Sequence, residues 1–295
     1  MPSLKDIRSR IGTTENTKKI TQAMKLVSAA KLRRAQHTIV NMRPYAKKLL
    51  AVIADIAATE RVRHPLLLCE KKKPKSILVV VLTSDRGLCG SFNANINKFA
   101  DAYYHEHSQS FERFDFLFIG RRGADYFKGQ KVAVVDRITN LDRTISYKSA
   151  AEIARRLIET YTAGEYDEIR LIYNEFKSAI EQKVTCERLL PIDIEKYTQF
   201  NAAEAKTFSR DMIFEPKPKQ IIDELIAKHF AVQVYRCMAE SVAAEHGARM
   251  TAMENATKNA GELIRSLKLT YNKLRQASIT TELIEITSGA EALKG

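Results

Sequence analysis

The sequence predicts an α/β domain combined with a long antiparallel α-helical coiled coil. Near both ends of the chain, apolar residues recur at alternating three- and four-residue steps, which is the spacing of a coiled coil. Between the ends, short β-branched and aromatic runs alternate with helical stretches, which indicates a mostly parallel sheet. We therefore expect three parts: an N-terminal coiled-coil helix (1–60), a Rossmann-like domain (75–205) and a long C-terminal helix (215–295).

The first part is predicted to be one helix from residue 3 to about 59. Its apolar positions after residue 30 alternate 3-4-3-4: Leu32, Ala35, Ile39, Met42, Ala46, Leu49, Ile53 and Ile56. Upstream we expect the apolar face to rotate near residue 30 and to continue through Ile20, Met24, Val27 and Ala30. Pro44 predicts either a kink in this helix or its end.

The last part has no proline after Pro218, so no proline breaks a helix in the remaining 77 residues. A helix from about 219 to 288, stopped by Gly289, would be roughly 105 Å long. Because this helix is longer than the first, its end should protrude beyond the antiparallel pair that the two helices form. Its apolar positions also alternate 3-4-3-4: Met250, Met253, Thr257, Ala260, Ile264, Leu267, Tyr271 and Leu274.

The middle part contains four strand-like runs: KSILVVVLTSD, DFLFIG, KVAVVD and DEIRLIYNEF. Helical stretches separate them, notably Asn93–His105 and Ser149–Thr162. The longest apolar run, Ile77–Leu82, is only six residues and too short to span a membrane. The four cysteines form no CxxC pair, which is typical of reduced thiols and not of a disulfide framework or a zinc site.

Positive charge is concentrated near the start of the chain. The net charge is +13, and residues 1–60 carry 12 Lys and Arg against 4 Asp and Glu. No acid occurs from Asn16 to Ala54. Such a surface favours an acidic partner: nucleic acid, anionic lipid or acidic loops of a protein. A targeting peptide would be followed by a break in this pattern, and a nucleic-acid arm would not bury one face in a seam, so we favour an acidic protein partner.

Two glycine-containing loops have the position of phosphate loops. SDRGLCGSFN (Ser84–Asn93) follows a strand and opens a helix, and GRRGADYFKG (Gly120–Gly129) is similar. The first lacks the P-loop lysine and the GxGxxG spacing. It therefore predicts a tight strand-to-helix turn that uses Gly87 and Gly90.

The remaining candidates for chemistry also favour structural roles. His105 and His107 are two residues apart, so they lie on different faces of a helix and do not predict a metal site. Cys89 has no histidine beside it that would make a catalytic pair. Asp85 and Asp136, at strand ends, are expected to cap helices or turns. We predict no catalytic, cofactor-binding or metal site.

Three segments closely resemble the gamma subunits of F-type ATP synthases: Ile7–Gln36, Thr83–Asn93 and Ala248–Leu293. The resemblance spans essentially the full length, and the motifs NTKKITQAMK and YNKLRQASITTELIEI are its most specific parts. It implies a non-catalytic rotor in the central stalk. The rotor's partners would be a ring of alpha and beta subunits, the epsilon subunit and the c-subunit ring, without nucleic acid. Proton flow would turn it and drive ATP synthesis or hydrolysis in the beta subunits.

The resemblance also implies which residues contact the alpha and beta ring: Met24, Lys25, Arg249, Arg275, Gln276 and Thr280. The end of the chain, Ser278–Leu293, would sit as a tip in an apolar collar, and Phe208–Lys219 would lie toward epsilon and the c-ring. No cysteine pair follows Leu189–Ile192, so the thiol switch of chloroplast gamma subunits is not expected. Because the match begins near Met1, we expect a bacterial protein, peripheral on the cytoplasmic side of the inner membrane through its complex.

Overall fold

A computed structural model describes residues 3–60, 64–67, 74–139, 146–179, 181–193, 215 and 218–292. Contacts divide the chain into two compact units: a paired-helix unit (Met1–Ser28 with Arg249–Gly295) and a body (Ala29–Ala248). The elements in chain order are α1 (Leu4–Glu60), β1 (Ser76–Leu82), α2 (Phe92–His107), β2 (Arg113–Ile119), α3 (Arg121–Tyr126), β3 (Ala133–Ile138), α4 (Tyr147–Thr162), β4 (Glu168–Phe176), β5 (Gln182–Leu190) and α5 (Pro218–Ala292).

The two terminal helices are continuous. Helix α1 runs through Pro44, so this proline does not end the helix. Helix α5 has 75 residues, about 112 Å at 1.5 Å per residue. The predicted stop at Gly289 is wrong: the helix continues to Ala292 because Gly289 does not adopt the positive φ of a helix-ending glycine. No described helix combines the length and apolar character needed to cross a membrane.

The body is built on a five-stranded sheet with strand order β3-β2-β1-β4-β5. Strands β1 to β4 are parallel, which confirms the predicted α/β class. The fifth strand, β5, pairs antiparallel with β4 and was not predicted. Its sequence, QKVTCERLL, mixes charged and apolar residues and is only partly buried, as expected of a strand at the edge of a sheet.

Both faces of this sheet are covered. Alternate residues of β1 enter two different cores, because successive side chains of a strand point to opposite faces. Leu78, Val80 and Leu82 pack in one core with α4 and with the body segments of α1 and α5. Ile77, Val79 and Val81 pack in the other with α2 and α3, where Phe116, Phe118 and Phe127 stack on one another. The lower seam of α1, from Leu32 to Ile56, is buried or half-buried as predicted.

The paired-helix unit is an antiparallel pair of helix segments. Glu15 of α1 meets Lys268 of α5 at 3.3 Å, and Lys25 meets Glu254 at 2.6 Å. Residue numbers therefore rise along α1 while they fall along α5. Eleven residues beyond the Glu15–Lys268 pair, α1 begins at Leu4 and α5 reaches Ile279. Residues 279–290 of α5 are all exposed, which confirms the predicted protruding end.

The predicted rotation of the apolar face near residue 30 is wrong. A seam of buried and half-buried positions keeps the 3-4 spacing up to the first turns of α1: Ile7, Ile11, Thr14, Lys18, Thr21, Lys25, Ser28 and Leu32; Met24, of the predicted stripe, is half-buried beside it. Between Thr14 and Ser28 the seam residues are polar. Ile20 and Val27 are 60% and 57% exposed, and Ala30 is also exposed. On α5 the predicted seam from Met250 to Leu274 is confirmed as buried or half-buried.

Candidate protein-interaction site

Polar contacts hold the paired-helix unit together. The hydroxyl oxygens of Thr21 and Thr257 lie 2.7 Å apart in the seam, and Ser28 is buried. The Lys25–Glu254 and Glu15–Lys268 ion pairs border the same seam and are partly solvent-exposed. Each such exposed pair contributes at most about 1 kcal/mol to the free energy of unfolding. Little of the stability of this unit therefore comes from apolar burial on its α1 side.

Apolar side chains instead lie on the outside of this unit. On α1, Ile20, Leu26 and Val27 are more than half exposed. On α5 the exposed large apolar residues are Leu263, Leu269, Ile279, Leu283, Ile284 and Ile286. Single exposed apolar residues are normal on soluble proteins. Here, however, the polar seam residues of α1 from Thr14 to Ser28 are accompanied by apolar residues on the outer face of the same helix, while the α5 side of the seam is mostly apolar. This surface has the composition of a protein-interaction site.

Three of the six predicted contact residues lie near the Thr21–Thr257 contact. Met24 is half-buried, and its neighbour Lys25 is engaged by Glu254. Arg249 is only 7% exposed. The Lys25 ammonium is therefore already engaged within the chain, by a carboxylate of α5.

The other three predicted residues lie together further along α5. Arg275 and Gln276 are exposed, and the Thr280 hydroxyl donates to the Gln276 carbonyl at 2.9 Å. About 27 Å of helix separates Arg275 from Thr257 at 1.5 Å per residue. The six residues therefore form two groups at different positions along the axis of the paired-helix unit. Sequence reasoning missed the exposed Leu26, which continuing the 3-4 count on α1 from Leu32 toward the N-terminus could have identified.

The Ser84–Asn93 loop is a tight turn whose polar groups bond within it. Leu88 and Gly90 adopt positive φ, as expected for a compact strand-to-helix connection. Asn93 accepts a hydrogen bond from the Ser84 N–H at 3.0 Å, and its amide donates to the buried Cys89 thiol. At Gly120 a Cβ atom would lie 2.1 Å from the Thr83 carbonyl oxygen, so this glycine permits a close approach between two loops.

The other chemical candidates have structural partners. Asp85 accepts a hydrogen bond from the Arg121 N–H at the start of α3, as predicted for a capping residue. The same prediction is wrong for Asp136, which lies within β3 and pairs with Arg156. His107 stacks on Tyr103. No group of three metal-ligating side chains occurs among the described residues. The predicted segment Phe208–Lys219 lies almost entirely outside the described residues.

A cluster of charges lies inside the body beside the sheet. Arg236 of α5 donates to both carboxylate oxygens of Glu187 at 2.7 Å, to Glu240 at 3.3 Å and to the Tyr173 hydroxyl at 3.2 Å. Burial, together with the negative groups nearby, raises the pKa of the Tyr173 phenol far above its usual range, so it remains protonated. This cluster joins α5 to β4 and β5 within the body.

Comparison with known proteins identifies the family. Residues 3–293 match the family model described as ATP synthase. Over its full length the chain is 64% identical to the ATP synthase gamma chain of Bdellovibrio bacteriovorus, and it is 48% identical to that of an Anaeromyxobacter species, with complete coverage of both. The chain belongs to the ATP synthase gamma-chain family. It is therefore a central-stalk subunit of the rotary F-type enzyme.

Solved structures agree with this family. A chain in the central stalk and c-ring of the Tetrahymena thermophila mitochondrial ATP synthase superposes with a TM-score of 0.60 at 29% identity. That alignment covers 80% of this chain and 99% of the other. A chain of the Euglena gracilis mitochondrial ATP synthase, 21% identical, shares the fold over 98% of this chain with a TM-score of 0.67. The fold class predicted from the sequence, an α/β domain with a coiled coil, is confirmed.

Proposed function

We propose that this chain is a non-catalytic rotor that turns inside a ring of alpha and beta subunits. The observation that carries the proposal is the exposed apolar outer face of α1 in the paired-helix unit, opposite a seam that is polar on this helix. Its seam is polar at Thr21 and Ser28, while Ile20 and Val27 point outward. A surface of this kind is stabilised when another protein surrounds it.

Rotation can drive catalysis in the ring only through differential contact. A rotor changes a neighbouring site only if it binds the conformations of that site with different affinities. Met24, Lys25 and Arg249 at one level, with Arg275, Gln276 and Thr280 at another, are proposed to make these contacts. Arg and Gln side chains supply several donors each, so their hydrogen bonds can be broken and remade at each step. The bond chemistry then belongs to the beta subunits.

The other partners and the location follow from the same proposal. The Tetrahymena neighbour comes from a central stalk determined with its c-ring. We propose that this chain likewise contacts the c-ring, and also the epsilon subunit. It would be peripheral on the cytoplasmic side of the inner membrane. The parts 1–60 and 215–295 would then form the shaft.

The coupling contact is tested by Met24→Lys. A lysine here adds a second ammonium beside Lys25, which strengthens binding to an acidic loop of a beta subunit in one rotary position. We expect ATP hydrolysis to continue while proton pumping per ATP hydrolysed falls. The ratio is measured in inverted membrane vesicles, with a fluorescent pH probe and a coupled ATPase assay.

Met24→Leu is the matched control, because it conserves volume and adds no charge. Its pumping ratio should equal that of the wild type. An unchanged ratio in Met24→Lys would show that Met24 does not face the acidic loop. Failure of the wild-type chain to co-purify with alpha and beta subunits would overturn the rotor proposal itself.

A further inference from the structure

A cavity of about 260 Å³ lies in the body at the carboxyl ends of β1 and β2. Leu82 and Ile119, the last residues of these two strands, line it. So do Thr83, Asp85 and Gly120, in the connections that follow the strands. Every residue that lines the cavity belongs to the body. Open parallel sheets bind ligands outside the carboxyl ends of their strands, so the cavity has the position of a ligand site.

The inner lining of the cavity is mostly apolar. Ala35 of α1 and Met238 and Ala239 of α5 are buried there, together with the strand ends Leu82 and Ile119. A concave, mostly apolar space with a small number of polar groups is the usual form of a small-molecule site. Such sites measure about 300–1,000 Å³ for drug-sized ligands. The volume of this cavity therefore fits a smaller ligand.

Two positively charged side chains of α1 line the same cavity. Lys31 and Arg34 are three residues apart, so they lie on one face of the helix. Both residues are exposed, and neither forms an ion pair with a carboxylate of the described residues. In contrast, Lys25 of the same helix is paired with Glu254. Lys31 and Arg34 are therefore available to an anion that enters the cavity.

Two carboxylates also line the cavity, but neither residue is exposed. Asp85 is half-buried, and its Oδ1 atom accepts a hydrogen bond from the Arg121 N–H at 2.9 Å. Glu245 is only 5% exposed. The exposed charges of the cavity are therefore both positive. A charge of this sign at the surface of a cleft favours a negatively charged ligand.

We propose that this cavity binds a small organic anion, namely a carboxylate or a phosphate monoester whose remaining part is apolar. The Arg34 guanidinium and the Lys31 ammonium would hold the charged end, because both groups bind carboxylate and phosphate oxygens. The apolar part would lie against Leu82, Ile119 and Met238. A bound ligand would contact α1, the sheet and α5 together and so stabilise the body. Such a site goes beyond the proposed function, because it does not need the chain to turn inside a ring.

Four small probes that share one ring but differ in charge test the ligand class. Phenyl phosphate, benzoate, benzamide and benzylamine are each titrated into the full-length chain, and methyl NMR spectra follow the binding. We expect the two anions to shift the methyl signals of Leu82, Ile119, Met238 and Val242, which line the cavity. Neutral benzamide and cationic benzylamine should bind at least about fivefold more weakly, because they lose the attraction to two exposed cations.

The same titrations can overturn the proposal. Equal affinity for all four probes, tighter binding of benzylamine than of benzoate, no binding of either anion, or shifts confined to methyl groups outside the cavity would each do so. Tighter binding of phenyl phosphate than of benzoate, or the reverse, supports the proposal and identifies the charged group that the site prefers.

Arg34→Gln tests the positive charge, with Arg33→Gln as a matched control. Arg33 is the neighbouring residue, is also exposed and does not line the cavity. We expect Arg34→Gln to raise the Kd of phenyl phosphate about fivefold. Arg33→Gln should raise it less than about twofold, because salt screens a charge that does not contact the ligand. Equal effects of the two substitutions would show a general effect of surface charge and overturn the site.

Val242→Phe tests the apolar space, with Val40→Phe as a matched control. Val242 is half-buried and lines the cavity, whereas Val40 is 63% exposed and does not. A phenylalanine at residue 242 would occupy the space, so we expect the anions to bind at least about tenfold more weakly to Val242→Phe and unchanged to Val40→Phe. Undiminished binding to a folded Val242→Phe chain would overturn the proposal. If Val242→Phe does not fold, the comparison of Arg34→Gln with Arg33→Gln decides, because both are surface substitutions.

Discussion

The two units of this chain hold their helices by different chemistry. In the body, the α1 seam is apolar from Leu32 to Ile56, and its residues from Leu49 onward pack in a core with the sheet. In the paired-helix unit, the same helix keeps the same 3-4 spacing, but its seam contains Thr14, Lys18, Thr21, Lys25 and Ser28. The spacing of a coiled coil is thus maintained while the free energy that apolar burial normally supplies is reduced.

The two units therefore differ in whether their apolar side chains stabilise the fold or are exposed for binding. The body buries the apolar residues of its two cores internally. The paired-helix unit leaves Ile20, Val27 and Ile284 exposed, so much of its apolar surface is available to partners. The proposed rotor would use this arrangement, because its outer contacts would change at each step while its inner contacts preserve helix register.

The largest difference is expected for isoleucine truncation. Ile53, 1% exposed in the body, loses packing when changed to alanine, and we expect a loss of about 3–4 kcal/mol in the free energy of unfolding. Ile20→Ala removes the same atoms from an exposed position and should change it by less than about 0.5 kcal/mol. Urea denaturation followed by circular dichroism measures both. Equal losses would show that the two units are packed alike.

Removing one member of an ion pair should give the next largest difference. Arg236→Met leaves Glu187 without its bidentate partner inside the body and should cost about 3 kcal/mol. Lys25→Met removes a single exposed ion pair, with Glu254, and should cost at most about 1 kcal/mol. The two substitutions are similar in size, so urea midpoints can be compared directly. A larger effect of Lys25→Met would contradict the contrast between the units.

The smallest effect concerns the polar seam itself. Replacing both Thr21 and Thr257 by valine removes the paired hydroxyls together and makes this level of the seam apolar. We expect the paired-helix unit to gain about 1 kcal/mol. Amides of residues 10–28 should then exchange about fivefold more slowly. The double change to serine keeps both hydroxyls and should not slow exchange. A faster-exchanging valine pair would show that the hydroxyl contact stabilises the register.

Much of the fold was predictable because it depends on local patterns. The heptad spacing predicted α1 and α5, and β-branched runs predicted the four parallel strands. Strand β5 was missed because an edge strand mixes charged and apolar residues and has no clean alternation. The exposed position of Ile20 was also missed. The apolar stripe through Ile20 predicted a buried face, whereas the buried positions of this segment are occupied by threonine and lysine.

By itself the sequence determined the class of fold, the lengths of the two terminal helices, the basic face of α1 and the family. Each depends on residue type and spacing along the chain, which a single sequence contains. Only the tertiary structure decided that the α1 seam is polar from Thr14 to Ser28, that Lys25 is already paired with Glu254, and that the His229 side chain lies buried in the body. These features depend on which residues meet across distant segments, and hydrophobic periodicity cannot specify a contact between polar side chains.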